Sequence, residues 1–261
     1  MKTSTIHQKA LAKHGFLFLN FIGFLVLLAL WQILSITLGE FLVPSPSTTI
    51  TTLARLATKG VLLQELSMTL VHLASGAFIG FILGFTMGLI AGFQREVDHI
   101  FNPFKWIGLT APVPVIAVIA MLWFGIGDFT VVFLTALVTA PLVYVSIKEG
   151  VISIDLELME MAKVYKFTPW MMLRHIYIPA MIANIVASLT HALEFGIRAT
   201  VFGEFMCGKS GVGYALFAAW YRLSSSEVFA WALTCIFLAC SIEVIIVKPL
   251  KSWSLKWRVQ Q

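Results

Sequence analysis

The sequence predicts an all-α integral membrane protein with about six membrane spans. Of its 261 residues, 59% are hydrophobic and 12% are charged, whereas soluble domains carry about 25% charged residues. A membrane-spanning helix needs about 20 mostly apolar residues. The stretches that approach or exceed this length are 16–38, 68–93, 106–124, 129–147, 179–206 and 228–247. This composition argues against a soluble enzyme, a disordered chain and a fibrous repeat.

Positive charge is distributed unevenly over the segments outside these spans. If both termini lie on one side, that side carries thirteen of the 18 Lys and Arg residues, the other side carries four, and Arg198 lies within the fifth span. Because Lys and Arg accumulate on the cytoplasmic side, both termini are predicted to be cytoplasmic. We therefore expect a cytoplasmic segment 1–15, a transmembrane domain 16–250 and a basic cytoplasmic tail 251–261.

Two of the connections between spans have helical signals of their own. Residues 46–59 begin beside two candidate N-caps, Ser45 and Ser47, and their apolar residues have helical spacing, which predicts a short helix on the outer surface. The longest cytoplasmic connection, 148–178, predicts two short amphipathic helices, the second beginning at Thr168-Pro169. Such a pair can dock on a partner or lie on the membrane surface.

Five glycines recur at every fourth position of the second span: Gly76, Gly80, Gly84, Gly88 and Gly92. This spacing places them along one face of a helix, where another helix can approach backbone to backbone. The pattern favours close packing inside the bundle, and the alternative is a face that lines a pore.

The segment Gly203–Ser210 matches the letters of a phosphate-binding loop. We reject nucleotide binding because the segment follows a membrane span, because Glu204 would face the phosphates, and because the sequence predicts no α/β domain. The six histidines are scattered and form no cluster with carboxylates. We therefore expect no enzymatic activity, no metal site and no cofactor, and the alternative of a membrane enzyme is disfavoured.

Ionisable side chains inside a span are costly and are therefore candidates for function. The fifth span carries His191, Glu194, Arg198 and Glu204. Glu194 and Arg198 are four residues apart and can pair along one helix face. These four residues are candidates for a translocation path. The alternatives are an internal salt bridge between Glu194 and Arg198, and a gate or interface hydrogen bond at Glu204.

The cytoplasmic connection contains Glu160-Met161-Ala162 and ends in residues 176–179, Ile-Tyr-Ile-Pro. In this it resembles the membrane-spanning subunits of binding-protein-dependent ABC importers, whose loop has Glu-Ala-Ala, a Gly four residues after the second Ala, and an aliphatic-x-Pro ending. Met161 replaces the middle Ala, and Lys166 replaces the Gly that would permit a turn. The resemblance implies ATPase coupling through Glu160, Met161, Ala162, Lys166 and Pro179, with Ala162 in tight contact with the ATPase.

The resemblance covers residues 20–258 and is nearest to the branch that imports taurine, alkanesulfonates, nitrate and thiamine-precursor pyrimidines. Further matching segments are Phe41–Pro46, Ala111–Pro114, Trp123–Gly127, Phe202–Glu204 and Gly208–Gly213.

It implies the type I importer fold in a bacterial inner membrane, surrounded by lipid. The expected partners are a second copy of the chain, two cytoplasmic ATPases and an extracytoplasmic binding protein, with no nucleic acid. A vitamin uptake component without a binding protein would have different coupling helices. The charges in the fifth span favour an anionic solute such as a sulfonate or nitrate, and the alternative is a neutral or cationic vitamin precursor.

Overall fold

The computed structural model describes the backbone of residues 3–258 and leaves the side chains of 3–18, Asn20, Leu156, Lys163, Pro169 and 255–258 undescribed. Within this range the chain is helical and has no strand. Its helices are α1 (Thr3–Leu38), α2 (Pro46–Thr58), α3 (Val61–Phe93), α4 (Arg95–Thr110), α5 (Val113–Phe124), α6 (Asp128–Ile152), α7 (Leu156–Val164), α8 (Pro169–Met172), α9 (Ile178–Cys207), α10 (Val212–Tyr221), α11 (Ser225–Ile242) and α12 (Lys248–Arg258). Two π-helical turns, Leu173–Tyr177 and Glu243–Val247, join α8 to α9 and α11 to α12.

Five segments of the described chain are long and apolar enough to cross a membrane, and the number is six if α4 and α5 form one broken span. The third span predicted for 106–124 falls on α4 and α5, which meet at 109°. Ala111 is extended, with φ −66° and ψ 129°, because the residue before a proline is disfavoured in the α conformation. Pro114 then lies in the first turn of α5, where the absent N–H costs nothing.

Both terminal segments are helical where the structure describes them. α1 includes most of the segment 1–15, from Thr3 onward, and the tail predicted for 251–261 continues α12 as far as Arg258. Residues 1–2 and 259–261 lie outside the described part of the chain. The second span begins at Val61 rather than near residue 68.

The short helix predicted at 46–59 is present as α2. Ser45, rather than Ser47, caps it, since its Oγ accepts a hydrogen bond from the Thr48 N–H at 3.2 Å. Leu56 packs in one apolar cluster with Val212 of α10 and Trp231 of α11. The end of the bundle formed by α2, α10 and the start of α11 is called the outer end below, and the end with α7 and α8 is called the inner end.

The glycine strip of α3 lies against α6. A Cβ atom on Gly76 would lie 2.5 Å from Thr135 Cβ, and one on Gly88 would lie 2.6 Å from the Tyr144 carbonyl oxygen. These separations are shorter than carbon contacts in packed interiors, which are about 3.5–4.0 Å. The absent side chains therefore allow α3 and α6 to touch through their backbones, and α6 also packs on α9 through a 2.9 Å hydrogen bond between Thr135 and Thr200.

Candidate functional site

The inner end carries a hairpin of α7 and α8, called the coupling hairpin below. Its turn depends on Lys166, which has φ +52°. With this residue in the left-handed conformation, the Phe167 N–H donates to the Ala162 carbonyl at 3.0 Å and closes the C-terminus of α7. The Thr168 hydroxyl accepts from the Met171 N–H at 3.3 Å and caps α8. Lys166 thus adopts the left-handed conformation that glycine favours.

The residues predicted to couple to an ATPase lie on different faces of this hairpin. Glu160 and Met161 are exposed, whereas Ala162 is only 1% exposed and packs in the chain's own core with Ile176 and Tyr177. The expected contact of Ala162 with a partner is therefore replaced by a contact within the chain. Its small side chain is required because α7 packs closely on the residues that lead into α9.

The sequence analysis did not predict that apolar side chains of the coupling hairpin form an exposed face. Leu158, Met161 and Tyr165 are three and four positions apart, and all are exposed, Tyr165 by 72%. This spacing places them on one helix face. Trp170 is also exposed, by 68%. The sequence does contain a signal for this face, because Leu158, Met161 and Tyr165 recur at helical spacing beside the apolar residues of α7 that point into the core.

The Glu194–Arg198 salt bridge, one of the two alternatives for the charges of α9, is absent between these two described side chains. Glu194 instead accepts a hydrogen bond from Lys251 at 2.5 Å, and His191 Nδ1 lies 3.9 Å from its other oxygen. The Arg198 guanidinium lies 5.6 Å from the centre of the Phe195 ring. The helical path of α11 and α12 brings Lys251 beside Glu194, and sequence spacing gives no indication of this contact.

Glu204 belongs to a separate, buried network at the outer end. Its carboxylate accepts hydrogen bonds from the Thr69 hydroxyl at 2.9 Å and the Gly213 N–H at 2.9 Å, and it lies 2.8 Å from His72 Nδ1. His72 Nε2 is 3.7 Å from Asp128. Glu204 is fully buried, and its partners are Thr69, His72 and Gly213 rather than His191, Glu194 or Arg198.

The residues of this network were also missed by the sequence analysis, apart from Glu204. His72 and Thr69 lie within an apolar span, where a polar side chain indicates an internal partner. The segment Gly203–Ser210 is the end of α9 and the turn that follows, as the rejection of nucleotide binding predicted. Among the described residues, no group of three His, Cys, Asp or Glu side chains could hold a metal ion.

Comparison with known proteins identifies the family. Residues 80–249 match the family model described as the inner membrane component of binding-protein-dependent transport systems. The chain belongs to this family. It is therefore a permease subunit of an ABC importer and a multi-pass protein of the cytoplasmic membrane.

Relatives with curated names include transporters of different solutes. A putative aliphatic sulfonates transport permease, SsuC of Bacillus subtilis, is 27% identical over 235 residues, covering 89% of this chain and 85% of the relative. The formylaminopyrimidine transport permease ThiX of Halalkalibacterium halodurans is 23% identical, covering 91% of this chain and 95% of the relative. These relatives are transport permeases rather than enzymes.

Two solved transporters have the same fold. The MetNI methionine ABC transporter in an inward-facing conformation aligns with a TM-score of 0.58 at 18% identity, covering 70% of this chain and 93% of the other. An amino acid ABC transporter solved with histidines aligns with a TM-score of 0.60 at 15% identity, covering 78% of this chain and 97% of the other. At these identities the likeness concerns the fold alone.

Proposed function

We propose that two copies of this chain form the translocation path of an ATP-driven importer. Each coupling hairpin docks on a cytoplasmic ATPase subunit, and a binding protein delivers a small solute to the outer end. ATP binding draws the two ATPases together and moves the hairpins, and each hairpin transmits the movement to α9 through the π-helical turn. The opening of the path then switches from one side of the membrane to the other.

The exposed apolar face of the coupling hairpin is the observation that carries this proposal. Met161 lies on α7 next to Glu160, and Tyr165 directly follows the last residue of that helix, so the face combines apolar side chains with a charged neighbour. Such a composition is typical of protein interfaces. Ala162 and the Lys166 turn support this face from behind, and in this proposal Pro179, in the first turn of α9, connects the hairpin to the bundle.

We infer further that the solute is a small anion such as a sulfonate or nitrate. Arg198 is a permanent cation within α9, and a sulfonate permease is among the relatives. The second candidate is a neutral or cationic vitamin precursor such as a thiamine pyrimidine, which the relative named for formylaminopyrimidine supports. Competition of each compound class in ATP-driven uptake by reconstituted vesicles distinguishes the two.

The docking proposal is tested by placing a charge on the apolar face. Tyr165→Asp should reduce co-purification of the ATPase subunit at least tenfold and abolish ATP-driven uptake, because an unpaired charge would be buried in the interface. Tyr221→Asp is the matched control, since Tyr221 is 77% exposed at the outer end, and it should retain the ATPase. Normal ATPase binding and uptake by the Tyr165 variant would contradict the proposal.

A further inference from the structure

His72 has carboxylate oxygens on both sides of its ring. Its Nδ1 lies 2.8 Å from Glu204 Oε1, and its Nε2 lies 3.7 Å from Asp128 Oδ1. The side chain of His72 is 3% exposed, whereas that of Asp128 is 42% exposed at the outer end. Nε2 is itself buried and has no hydrogen-bond partner among the described residues. One ring nitrogen is therefore satisfied, and the other faces a carboxylate across a short gap.

Both flanking carboxyl groups act as hydrogen-bond acceptors. Glu204 Oε2 accepts from the Thr69 hydroxyl and from the Gly213 N–H. Asp128 lies in the first turn of α6, where the helix dipole favours a negative charge, and its Oδ1 accepts from the backbone N–H of Lys209 at 3.2 Å. The ring of His72 is thus placed between two acceptors.

A neutral imidazole ring cannot satisfy both of these acceptors. It has one N–H donor and one bare nitrogen, whereas an imidazolium donates from both nitrogens. If Nδ1 donates to Glu204, a neutral ring leaves a buried lone pair on Nε2 opposite the Asp128 carboxylate. A further proton on Nε2 replaces this repulsion with an attraction between opposite charges. The geometry therefore favours the doubly protonated ring of His72.

A third carboxyl group adds to the negative charge near this ring. Glu65 lies seven residues before His72 on α3, and it interacts electrostatically with both Glu204 and Asp128. Its Oε2 accepts from the backbone N–H of Gly211 at 2.6 Å. Three carboxyl groups from α3, α6 and α9 are thus gathered around one histidine.

The remaining elements around the network bring no fixed positive charge. From α11, the titratable group that faces Glu204 is the thiol of Cys235, and α10 donates backbone N–H groups. The side chain of Lys209 is exposed. Among the described side chains, no Lys or Arg forms an ion pair with any of the three carboxyl groups. A proton on His72 is therefore the positive charge that this cluster can gain.

We propose that His72 Nε2 is the binding site of one proton that comes from the outer side of the membrane. The proton passes from water beside the exposed Asp128 to the Nε2 lone pair, and the cluster gains one positive charge. The bound proton joins the first turn of α6 to α3 and α9. Acid on the outer side therefore stabilises the observed arrangement of the outer end, whatever solute the importer carries.

Nitrogen NMR measures the protonation of His72 directly. The permease with its ATPase subunits is labelled with ¹⁵N in its histidine rings, placed in nanodiscs and observed at neutral pH. Both ring nitrogens of His72 should carry protons, and the signal is assigned by its loss in His72→Gln. If that variant does not assemble, replacing the other five of the six histidines with Gln makes the assignment.

Variants then test the two partners of the ring. Asp128→Asn should weaken proton binding by His72 at least about tenfold, because the amide removes the negative charge opposite Nε2. Glu227→Gln is the matched control, since it removes a carboxylate at the outer end that pairs with Arg55 and Arg222 instead, and it should leave the titration of His72 unchanged.

Unfolding gives an independent measurement of the same proton. The folded protein holds a proton that the unfolded chain releases as the pH rises, so stability should fall with rising pH. The unfolding equilibrium constant of the wild type should increase by up to about tenfold per pH unit relative to that of His72→Gln.

Two kinds of result would overturn the proposal. The first is a neutral His72 ring at neutral pH. A proton on Nδ1 alone would leave the site empty, and a proton on Nε2 alone would place the extra proton on Glu204 instead. The second is an Asp128→Asn variant in which His72 titrates as in the wild type, because the carboxylate opposite Nε2 would then contribute nothing to proton binding.

Discussion

Lys166 determines the geometry of the coupling hairpin at a cost in backbone energy. A left-handed conformation costs a residue with a Cβ atom about 1–2 kcal/mol, and this lysine adopts it at φ +52° where the Phe167 N–H reaches back to the Ala162 carbonyl. Lysine in place of glycine therefore raises the backbone energy of this turn. The side chain itself is exposed.

Replacing this lysine with glycine should stabilise the protein. We expect Lys166→Gly to raise the melting temperature in detergent, by an amount corresponding to about 1 kcal/mol. Lys209→Gly is the control, because Lys209 is also exposed in a turn but has no positive φ, and it should be neutral or destabilising. A lower melting temperature for Lys166→Gly would show that the lysine side chain contributes more than its backbone costs.

The contact between α3 and α6 depends on the glycine strip along its length. Gly84 is representative, since a Cβ atom there would lie 2.7 Å from Val143 Cβ and even closer to the Ala140 carbonyl oxygen. Gly84→Leu should lower stability by about 1–3 kcal/mol or prevent assembly, because the backbones must separate to admit the side chain. The measurement is thermal unfolding of the purified permease.

Gly23→Leu provides the comparison for this substitution. Gly23 lies in α1, and a Cβ atom there would have no neighbour within 4 Å, so the same change should be tolerated. If the Gly84→Leu variant unfolds at the wild-type temperature, α3 and α6 can move apart without loss of stability. The glycine strip would then have a role other than close packing.

Helices could be predicted where the signal is local. Apolar runs fixed the approximate spans, Ser45 and Thr168 marked helix starts, and the period of four predicted the face of α3. The bend between α4 and α5 was missed because apolar composition gives the extent of a span and not its direction. The bend lies at Pro112 and Pro114. The partner of Glu194 was missed because Lys251 is 57 residues away in sequence, and such a contact is created only by the packing of α12 on α9.

The buried network around Glu204 joins α3, α9 and α10 at the outer end. Glu204→Gln should lower the free energy of unfolding by about 1–3 kcal/mol, since the amide must present an N–H group to a position that now accepts hydrogen bonds. Glu227→Gln is the control, because Glu227 pairs with the exposed Arg55 and Arg222, and surface pairs contribute about 1 kcal/mol or less. If both substitutions lowered the free energy of unfolding equally, the stabilising effect of the Glu204 network would not depend on its burial.

Because this network holds one end of α9, the run of helix from Pro169 to Cys207 can act as a lever with its fulcrum at the outer end. Its 38 residue steps give a length of about 57 Å. Arg198 is nine steps from the fulcrum, so it travels about a quarter as far as the coupling hairpin. Any displacement of the coupling hairpin would then reach the Arg198 guanidinium reduced about fourfold, so the middle of the bundle moves less than the end that carries the hairpin.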